Sequence, residues 1–310
     1  MAKDLDSLQE SRDRRAEVVG KYGFIPTSII AAEKQAHQAQ DKHATERNYQ
    51  STSNVEFGAV ADRIFDVSGQ SCRGKGGALS RFPQNIGRYL VKMYSEKGET
   101  VLDPFAGHNS RMELVYKLDR NYLGFDISHE FMDANRDIAA VLQGRDQGLL
   151  FGSQSAITLT ECDSKEMKVP ANSADMVLTS PPYYDIEYYG DEPGQLDYDI
   201  EYYGDEPGQL GFCGTYQDFL CGIRVVLARC FDALKPGRFC CWAINDFRRK
   251  GVFYAYHSDI IQAYLSVGFA LHDIVITDLG YPIGAAFASQ LDDQKRTAKR
   301  HEYTIIGRKE

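Results

Sequence analysis

The sequence predicts an α/β fold in which a mainly parallel sheet of seven strands carries helices on both faces. Short runs rich in β-branched and aromatic residues alternate with stretches whose apolar residues recur at helical spacing. Turn-forming residues such as Gly98 and the pair Pro236-Gly237 separate these runs. Regular alternation of this kind is typical of parallel sheets that are covered by helices.

The predicted elements follow one another from about residue 85 onward. A first helix is expected to have Asn85 as its cap and to end before Gly98. A second helix begins near Ser110, and a third, strongly amphipathic one covers Tyr216 to Leu234 until Pro236-Gly237 stops it. The seven predicted strands are 100–102, 122–125, 157–160, 175–178, 238–244, 270–277 and 303–306.

Two regions differ from this pattern. Residues 1–55 are interpreted as an N-terminal helical extension, and residues 56–310 as a single α/β domain. Within that domain a 13-residue sequence occurs at 184–196 and again, unchanged, at 198–210. Two copies are too few for a solenoid, so 184–211 is interpreted as a duplicated acidic loop insertion. The fold should tolerate it, because lengthening a surface loop adds little closure entropy.

Composition limits the classes of function. The chain of 310 residues is 43% hydrophobic, which suffices for one substantial core. Neither a membrane span nor a signal peptide is expected, since no run approaches 18 apolar residues, and the default compartment is the cytoplasm. Seven cysteines without C-x-x-C spacing argue against a zinc site and a disulfide framework. His257 and Asp259 lack a third ligand, so no metal site is predicted.

The net charge of -9 is unusual for a protein that binds nucleic acid, because such binding depends on Lys and Arg. The excess is local. Residues 184–211 hold nine carboxylates and no basic residue, while the remainder has 35 acids and 35 bases. Two basic clusters are candidates for a positive face, with ordinary solvated charge as an equal alternative: Arg248-Arg249-Lys250, and the group Lys295, Arg296, Lys299 and Arg300.

Three acidic residues follow successive predicted strands. Asp103 opens a tight turn, Asp126 comes about 20 residues later, and Asp163 follows the third strand. The carboxyl ends of parallel strands meet at one edge of a sheet, where unpaired backbone N–H groups and carboxylates can bind a nucleoside. The candidate residues are Asp103, Pro104, Phe105, Ala106, Gly107, Asp126, Ile127, Asp163 and Ser164.

The fourth strand leads into Ser180-Pro181-Pro182-Tyr183. Here the chain resembles the DNA amino-methyltransferases, whose catalytic motif is Asp, Asn or Ser, then Pro-Pro, then Tyr or Phe. The serine form is typical of cytosine-N4 enzymes. The resemblance covers roughly residues 80–308 and implies a Rossmann-like methyltransferase sheet with one antiparallel strand. It identifies the turn Asp103–Gly107 as the S-adenosylmethionine motif and Phe82-Pro83 as its upstream partner.

The exocyclic amine of a base is a poor nucleophile, because its lone pair is delocalised into the ring. The tetrapeptide offers groups that could activate it. The Ser180 hydroxyl and the Pro181 carbonyl are expected to accept the two amine hydrogens, with Pro182 keeping the backbone rigid. Tyr183 is expected to stack on a base flipped out of the helix. Carbon-5 methyltransferases need a cysteine after proline, and the chain contains no Pro-Cys pair.

The resemblance therefore implies transfer from S-adenosylmethionine to DNA, duplex with a flipped base or single-stranded, with cytosine N4 favoured over adenine N6. A methyltransferase acting on RNA, protein or a small molecule and a non-catalytic DNA-binding relative stay open as alternatives. The candidate DNA contacts are Asn245, Arg248, Arg249, Lys250, Lys295 and Arg296.

The chain departs from the family pattern in two places. The stretch after Gly107 reads His-Asn-Ser-Arg where the family usually has Ser-Gly-Thr, and no large target-recognition domain is visible. A small, phage-like enzyme in the cytoplasm of a bacterium or of a phage-infected host is expected. A homodimer is compatible with the sequence, which does not specify an oligomeric state.

Overall fold

The computed structural model describes most of the α/β region and part of the N-terminal region. The described residues are 5–22, 24, 26–32, 82–107, 109–146, 155–184, 207–249, 251–283, 292–293, 295–297 and 299–310. The helices are α1 (Leu5–Tyr22), α2 (Gln84–Tyr94), α3 (Ser110–Lys117), α4 (His129–Asp146), α5 (Tyr216–Ala233) and α6 (Tyr256–Val267). The strands are β1 (Ile29–Ala31), β2 (Thr100–Asp103), β3 (Asn121–Asp126), β4 (Ile157–Glu161), β5 (Ala174–Thr179), β6 (Leu234–Ile244), β7 (Phe247–Arg249), β8 (Val252–Tyr254), β9 (Ala270–Ile283) and β10 (Lys299–Arg308).

Eight of these strands form one sheet in the order β1-β9-β10-β6-β5-β2-β3-β4. Strand β10 is antiparallel to both of its neighbours, and the other neighbouring pairs are parallel. The mostly parallel sheet with one antiparallel strand is therefore confirmed. The predicted count of seven is one too low, because β1, in the stretch assigned to the N-terminal extension, pairs with β9 along Ile276–Asp278.

Two local predictions were wrong. Pro83, not Asn85, is the N-cap of α2, and the Asn85 side chain instead donates to the carbonyl of Ala31 at 2.7 Å. Helix α5 ends at Ala233, before Pro236-Gly237. That pair lies inside β6, where the pairing with β5 shifts register and Gly237 takes a φ of 78°, so it forms an irregularity in a strand.

The core lies on both faces of the sheet. Strand β5 is buried along its whole length, as expected for a central parallel strand. Val177 packs on the face covered by α5 and α6, whereas Met176 and Leu178 pack on the face covered by α2, α3 and α4. Because β5 is buried along its whole length, its end has a fixed position, and Ser180 directly follows that end.

Some predictions concern residues outside this description. The division between residues 55 and 56 and most of the duplicated segment, 185–206, lie outside the described residues, so the domain assignment stays an interpretation. Among the described helices, none is long and apolar enough to cross a membrane.

Candidate active site

Four neighbouring strands bring the predicted motifs to one edge of the sheet. Asp103 is the last residue of β2 and Asp126 the last of β3. Asp163 lies two residues beyond the end of β4, and Ser180 directly follows β5. Because β5, β2, β3 and β4 are neighbours in that order, the tetrapeptide Ser180–Tyr183 and the three acidic residues share the carboxyl edge.

Asp103 is completely buried and its carboxylate is held by four donors. Oδ2 accepts from Arg111 Nε at 2.7 Å and from the Tyr122 hydroxyl at 2.8 Å. Oδ1 accepts from Thr179 Oγ1 at 2.6 Å and from the backbone N–H of Phe105 at 3.2 Å. Both oxygens are thus used within the protein, and Asp103 shapes the turn instead of facing a cleft.

Arg111 stabilises the same turn through hydrogen bonds. Only 7% of this residue is exposed, and its guanidinium donates to the carbonyls of Phe105 and Ala106 as well as to Asp103. Burial opposes the charge, but the nearby Asp103 carboxylate raises the pKa of Arg111 overall. The residue that departs from the family pattern therefore contributes a buried ion pair to the turn.

Gly107 closes the turn in a conformation that suits glycine. Its φ of 51° is in the left-handed region, its N–H donates to Asp126 Oδ2 at 2.7 Å, and its carbonyl accepts from Asn135 Nδ2 at 2.7 Å. Asp126 also accepts from the N–H of Ser128 at 2.9 Å. Burial raises the pKa of Asp126, and the two N–H donors oppose that rise. A carboxylate accepts more than two hydrogen bonds, so Asp126 retains acceptor capacity.

Asp163 and Ser164 fix the next strand end. Asp163 Oδ1 accepts from the N–H of Lys165 at 2.9 Å, and the Lys165 ammonium lies 3.2 Å from Oδ2. The buried Ser164 hydroxyl donates to the carbonyl of Pro104, which joins the end of β4 to the turn. A Cβ on Gly208 would lie 3.1 Å from Asp163 Oδ2 and 3.3 Å from Ile127 Cδ1. Gly208, which was not predicted to be a site residue, therefore lies against Asp163 and Ile127.

The upstream motif lies against the same turn. Phe82 is 7% exposed, and the Arg111 guanidinium lies 5.6 Å from the centre of its ring. Gln84, one residue after Pro83, donates to the carbonyls of Phe82 and Ser110. The structure thus brings Phe82 and Pro83 together with the turn that follows β2.

The tetrapeptide stands between this turn and a group of aromatic rings. Ser180 is half-buried, Pro181 and Pro182 are buried, and Tyr183 is half-buried. The ring of Tyr183 lies 5.8 Å from that of Phe247 and 6.0 Å from that of Tyr256. Tyr184, Tyr216, Phe219 and Tyr254 extend this aromatic cluster.

Most of the aromatic cluster was missed by sequence reasoning. Phe247 and Tyr254 face each other in an antiparallel hairpin, β7–β8, with ring centres 5.0 Å apart and planes 11° apart. Tyr256 is the first residue of α6. The signal that could have revealed them is the density of aromatic residues between 247 and 256 directly after a strand that ends beside the tetrapeptide.

Two buried polar atoms of this region are unsatisfied. The Asn245 side-chain oxygen and the Tyr256 hydroxyl have no hydrogen-bond partner within the described part of the chain. Asn245 is 9% exposed and Tyr256 is fully buried. Buried polar groups without partners are uncommon in proteins, and each calls for an explanation such as a ligand. Both residues flank the tetrapeptide.

Asp246 connects three separate elements beside Asn245. Its Oδ1 accepts from the N–H of His257 at 3.0 Å and from His257 Nδ1 at 2.6 Å, so it caps the start of α6. The Lys299 ammonium, at the start of β10, lies 3.6 Å from Oδ2. Burial lowers the pKa of Lys299 to about 8, although Asp246 opposes this. Asp259 instead accepts from the Tyr216 hydroxyl at 2.7 Å, so it does not pair with His257.

The predicted basic face is only partly present. Arg249 is 7% exposed, because strand alternation turns it to the same side as Phe247, and its assignment to a solvent-facing cluster was wrong. Arg248 is half-buried, with its guanidinium 4.9 Å from the centre of the Phe253 ring. Lys295 is exposed and pairs with Asp292 at 2.9 Å, Arg296 is half-buried, and Lys250 lies outside the described residues.

One exposed group brings possible metal ligands together away from the tetrapeptide. His129, Asp133 and Glu161 have ligand atoms within 4.8 Å of one another. Arg136 donates to Asp133 at 2.6 Å and to Glu161 at 3.1 Å, so a cation already neutralises both acids. The same acids raise the pKa of His129.

Comparison with known proteins finds a family match for part of the chain. Residues 20–137 match the family model described as DNA methylase, of the N6/N4 type. The match covers less than half of the chain. The matched range includes the turn at Asp103 and the carboxylate of Asp126, and it ends before Ser180.

Individual relatives either match a shorter part of the chain or have a lower sequence identity. Over 46 residues the chain is 44% identical to the Type II methyltransferase M.MjaI of Methanocaldococcus jannaschii, which is 15% of this chain and 15% of that relative. Among solved structures, it is similar to a SAM-dependent methyltransferase from Methanosarcina mazei, with a TM-score of 0.44, 13% identity and coverage of 74% and 99%. A methyltransferase from Mesorhizobium loti gives a TM-score of 0.41, 13% identity and coverage of 72% and 98%.

Proposed function

We propose that this chain is an S-adenosylmethionine-dependent DNA methyltransferase that methylates the exocyclic amine of a flipped base, cytosine N4 in preference to adenine N6. The observation that carries the proposal is the hydrogen bond from Thr179 Oγ1 to Asp103 Oδ1 at 2.6 Å. It joins the residue before Ser180 to the first residue of the turn, so the two motifs are side by side. The DNA methylase match at 20–137 supports the class, and the serine of the tetrapeptide supports cytosine.

The ends of β2, β3 and β4 fit S-adenosylmethionine. Asp126 would accept from the ribose hydroxyls and Asp163 from the adenine amine, because both carboxylates have acceptor positions beyond those already used. An added Cβ on Gly107 would have no atom closer than 3.8 Å, so this backbone is open to close approach. When bound, S-adenosylmethionine supplies an electrophilic methyl group on a sulfonium.

The residues of the other half bind and orient the base. The Ser180 hydroxyl and the Pro181 carbonyl accept the two hydrogens of the amine, which directs the nitrogen lone pair out of the ring. Tyr183 stacks on the base, and Phe247 and Tyr256 hold the Tyr183 ring in place. The Asn245 oxygen and the Tyr256 hydroxyl, which have no partner in the described part of the chain, form hydrogen bonds with the polar edge of the base. The proposed partner is DNA, and the proposed compartment is the cytoplasm of a bacterium or of a phage-infected host.

The test is transfer of a labelled methyl group from S-adenosylmethionine to duplex DNA, followed by digestion and mass spectrometry of the nucleosides. Label in N4-methylcytosine is expected, label in N6-methyladenine would correct the base, and label in neither would reject the proposal. Ser180→Ala should abolish transfer and retain cofactor binding. Ser173→Ala is the matched control, because Ser173 lies at the opposite end of β5 and should leave turnover unchanged.

A further inference from the structure

The β7–β8 hairpin has one face on the active site and another toward solvent. Phe247 and Tyr254 pair on the inner face, where Phe247 contacts Tyr183. Arg248 and Phe253 pair on the outer face. Phe253 is 49% exposed, and Val252, next to the hairpin turn, is 54% exposed. Val252 pairs with Arg249 and so lies on the inner side, whereas Phe253 is presented to solvent on the outer face of a hairpin whose base is fixed by the aromatic cluster.

The outer face combines the chemical groups that bind nucleic acid. The Arg248 guanidinium lies 4.9 Å from the centre of the Phe253 ring, so a cation and an aromatic surface are presented together. Between residues 247 and 254 the sequence has no acidic residue. Asp246, the nearest acid, faces inward to His257 and Lys299. An aromatic face can stack on a base, and a guanidinium can bind a phosphate.

The hairpin is placed where a flipped base would leave the helix. It begins three residues after the end of β6, at the same edge of the sheet as Ser180, and its inner ring touches the residue that would stack on the base. A base that leaves a duplex leaves an unstacked gap. Proteins that distort DNA fill such gaps with apolar wedges such as Phe, Leu or Ile.

We propose that Phe253 inserts into the DNA stack in place of the flipped base, while Arg248 binds an adjacent phosphate. This inference rests on the proposed function and deepens it by assigning the residues that hold the duplex open. Single-stranded DNA needs no such wedge, because its target base is already unstacked.

The experiment compares methylation of duplex and of single-stranded DNA of the same sequence, chosen from sites that the wild-type protein methylates. Phe253→Ala should lower kcat/KM on the duplex about 10- to 100-fold, the change expected for loss of one base–aromatic stack, and leave the single strand within about twofold. Phe253→Trp should restore the duplex rate. Leu271→Ala is the matched control, since Leu271 is 41% exposed at the start of β9, on the opposite edge of the sheet.

Equal losses on both substrates would indicate a structural role and overturn the wedge, and so would unchanged rates on both. A second arm measures binding of a random-sequence duplex pool by fluorescence anisotropy, with no methyl transfer required. If the wild type methylates no DNA, the proposed function fails, and this arm still decides the wedge. Weaker duplex binding by Phe253→Ala supports it, and equal binding overturns it.

Discussion

Replacing Arg111 by Met tests whether the buried ion pair with Asp103 stabilises the turn Asp103–Gly107, the proposed cofactor site. The substitution keeps an apolar stem of similar length and removes the guanidinium. Asp103 would then be a fully buried carboxylate without a cationic partner, and the carbonyls of Phe105 and Ala106 would lose a shared donor. We therefore expect the turn to lose both stability and shape.

The magnitude follows from the contacts. Removing one partner of a buried ion pair costs about 3–5 kcal/mol, because the remaining charge is left uncompensated. The three hydrogen bonds that the charged Arg111 guanidinium donates lead to a similar value of a few kcal/mol. For a domain of this size each kcal/mol of lost stability lowers the melting temperature by about 2–4 °C, so a fall on the order of 10 °C is expected.

Urea unfolding and thermal melting measure this change, and calorimetric titration with S-adenosylmethionine measures the effect on the turn. Lys97→Met is the control, since Lys97 pairs with Asp119 at the same 2.7 Å distance but both side chains are exposed. That variant should change the free energy of unfolding by less than about 1 kcal/mol. The reasoning is refuted if both variants cost the same, or if Arg111→Met binds the cofactor normally.

Three further predictions concern other parts of the chain. Tyr256→Phe removes a buried hydroxyl that has no partner among the described residues, so stability should stay equal or rise, while kcat/KM on DNA falls about tenfold; unchanged turnover would show that the base does not use this hydroxyl. Burial lowers the pKa of Lys299 to about 8, so between about pH 8 and 10.5 the unfolded chain binds more protons than the folded one. Stability should rise with pH over that window, by at most about 1.4 kcal/mol per unit, and Lys299→Met should lack this rise; parallel urea profiles would contradict it. Deleting residues 185–198, which leaves one complete copy of the repeated sequence, should shift the melting temperature by only about 2 °C, and a fall on the order of 10 °C would show that both copies are structural.

The strands of the central sheet were predictable because burial on both faces gives long apolar runs. Strand β5 and the helix stripe of α5 are of this kind. Strands β1, β7 and β8 have three residues each, which is too short for any period to be recognised. Pro236-Gly237 also misled the prediction, because a strand irregularity and a helix stop have the same local sequence.

The positions of the acidic residues and of the tetrapeptide followed from strand order, but their roles depended on contacts between distant residues. Asp103 is closed off by Thr179, 76 positions away, and no local pattern contains that pairing. Arg249 looked like a surface cation because a run of charge carries no information on which side of a hairpin each residue faces. Tyr256 and Lys299 reach the site through the fold alone.

The bond between Thr179 and Asp103 also bears on how such a chain can be rearranged. The two motifs meet because β2 and β5 are adjacent in the sheet, and this adjacency does not depend on which motif is synthesised first. A gene in which the segment from β5 onward preceded the segment from α2 to β4 would assemble the same contact, provided that the new linker spanned the sheet. Exchanging the two segments therefore changes the order of the motifs along the chain and leaves their contact in the folded protein intact.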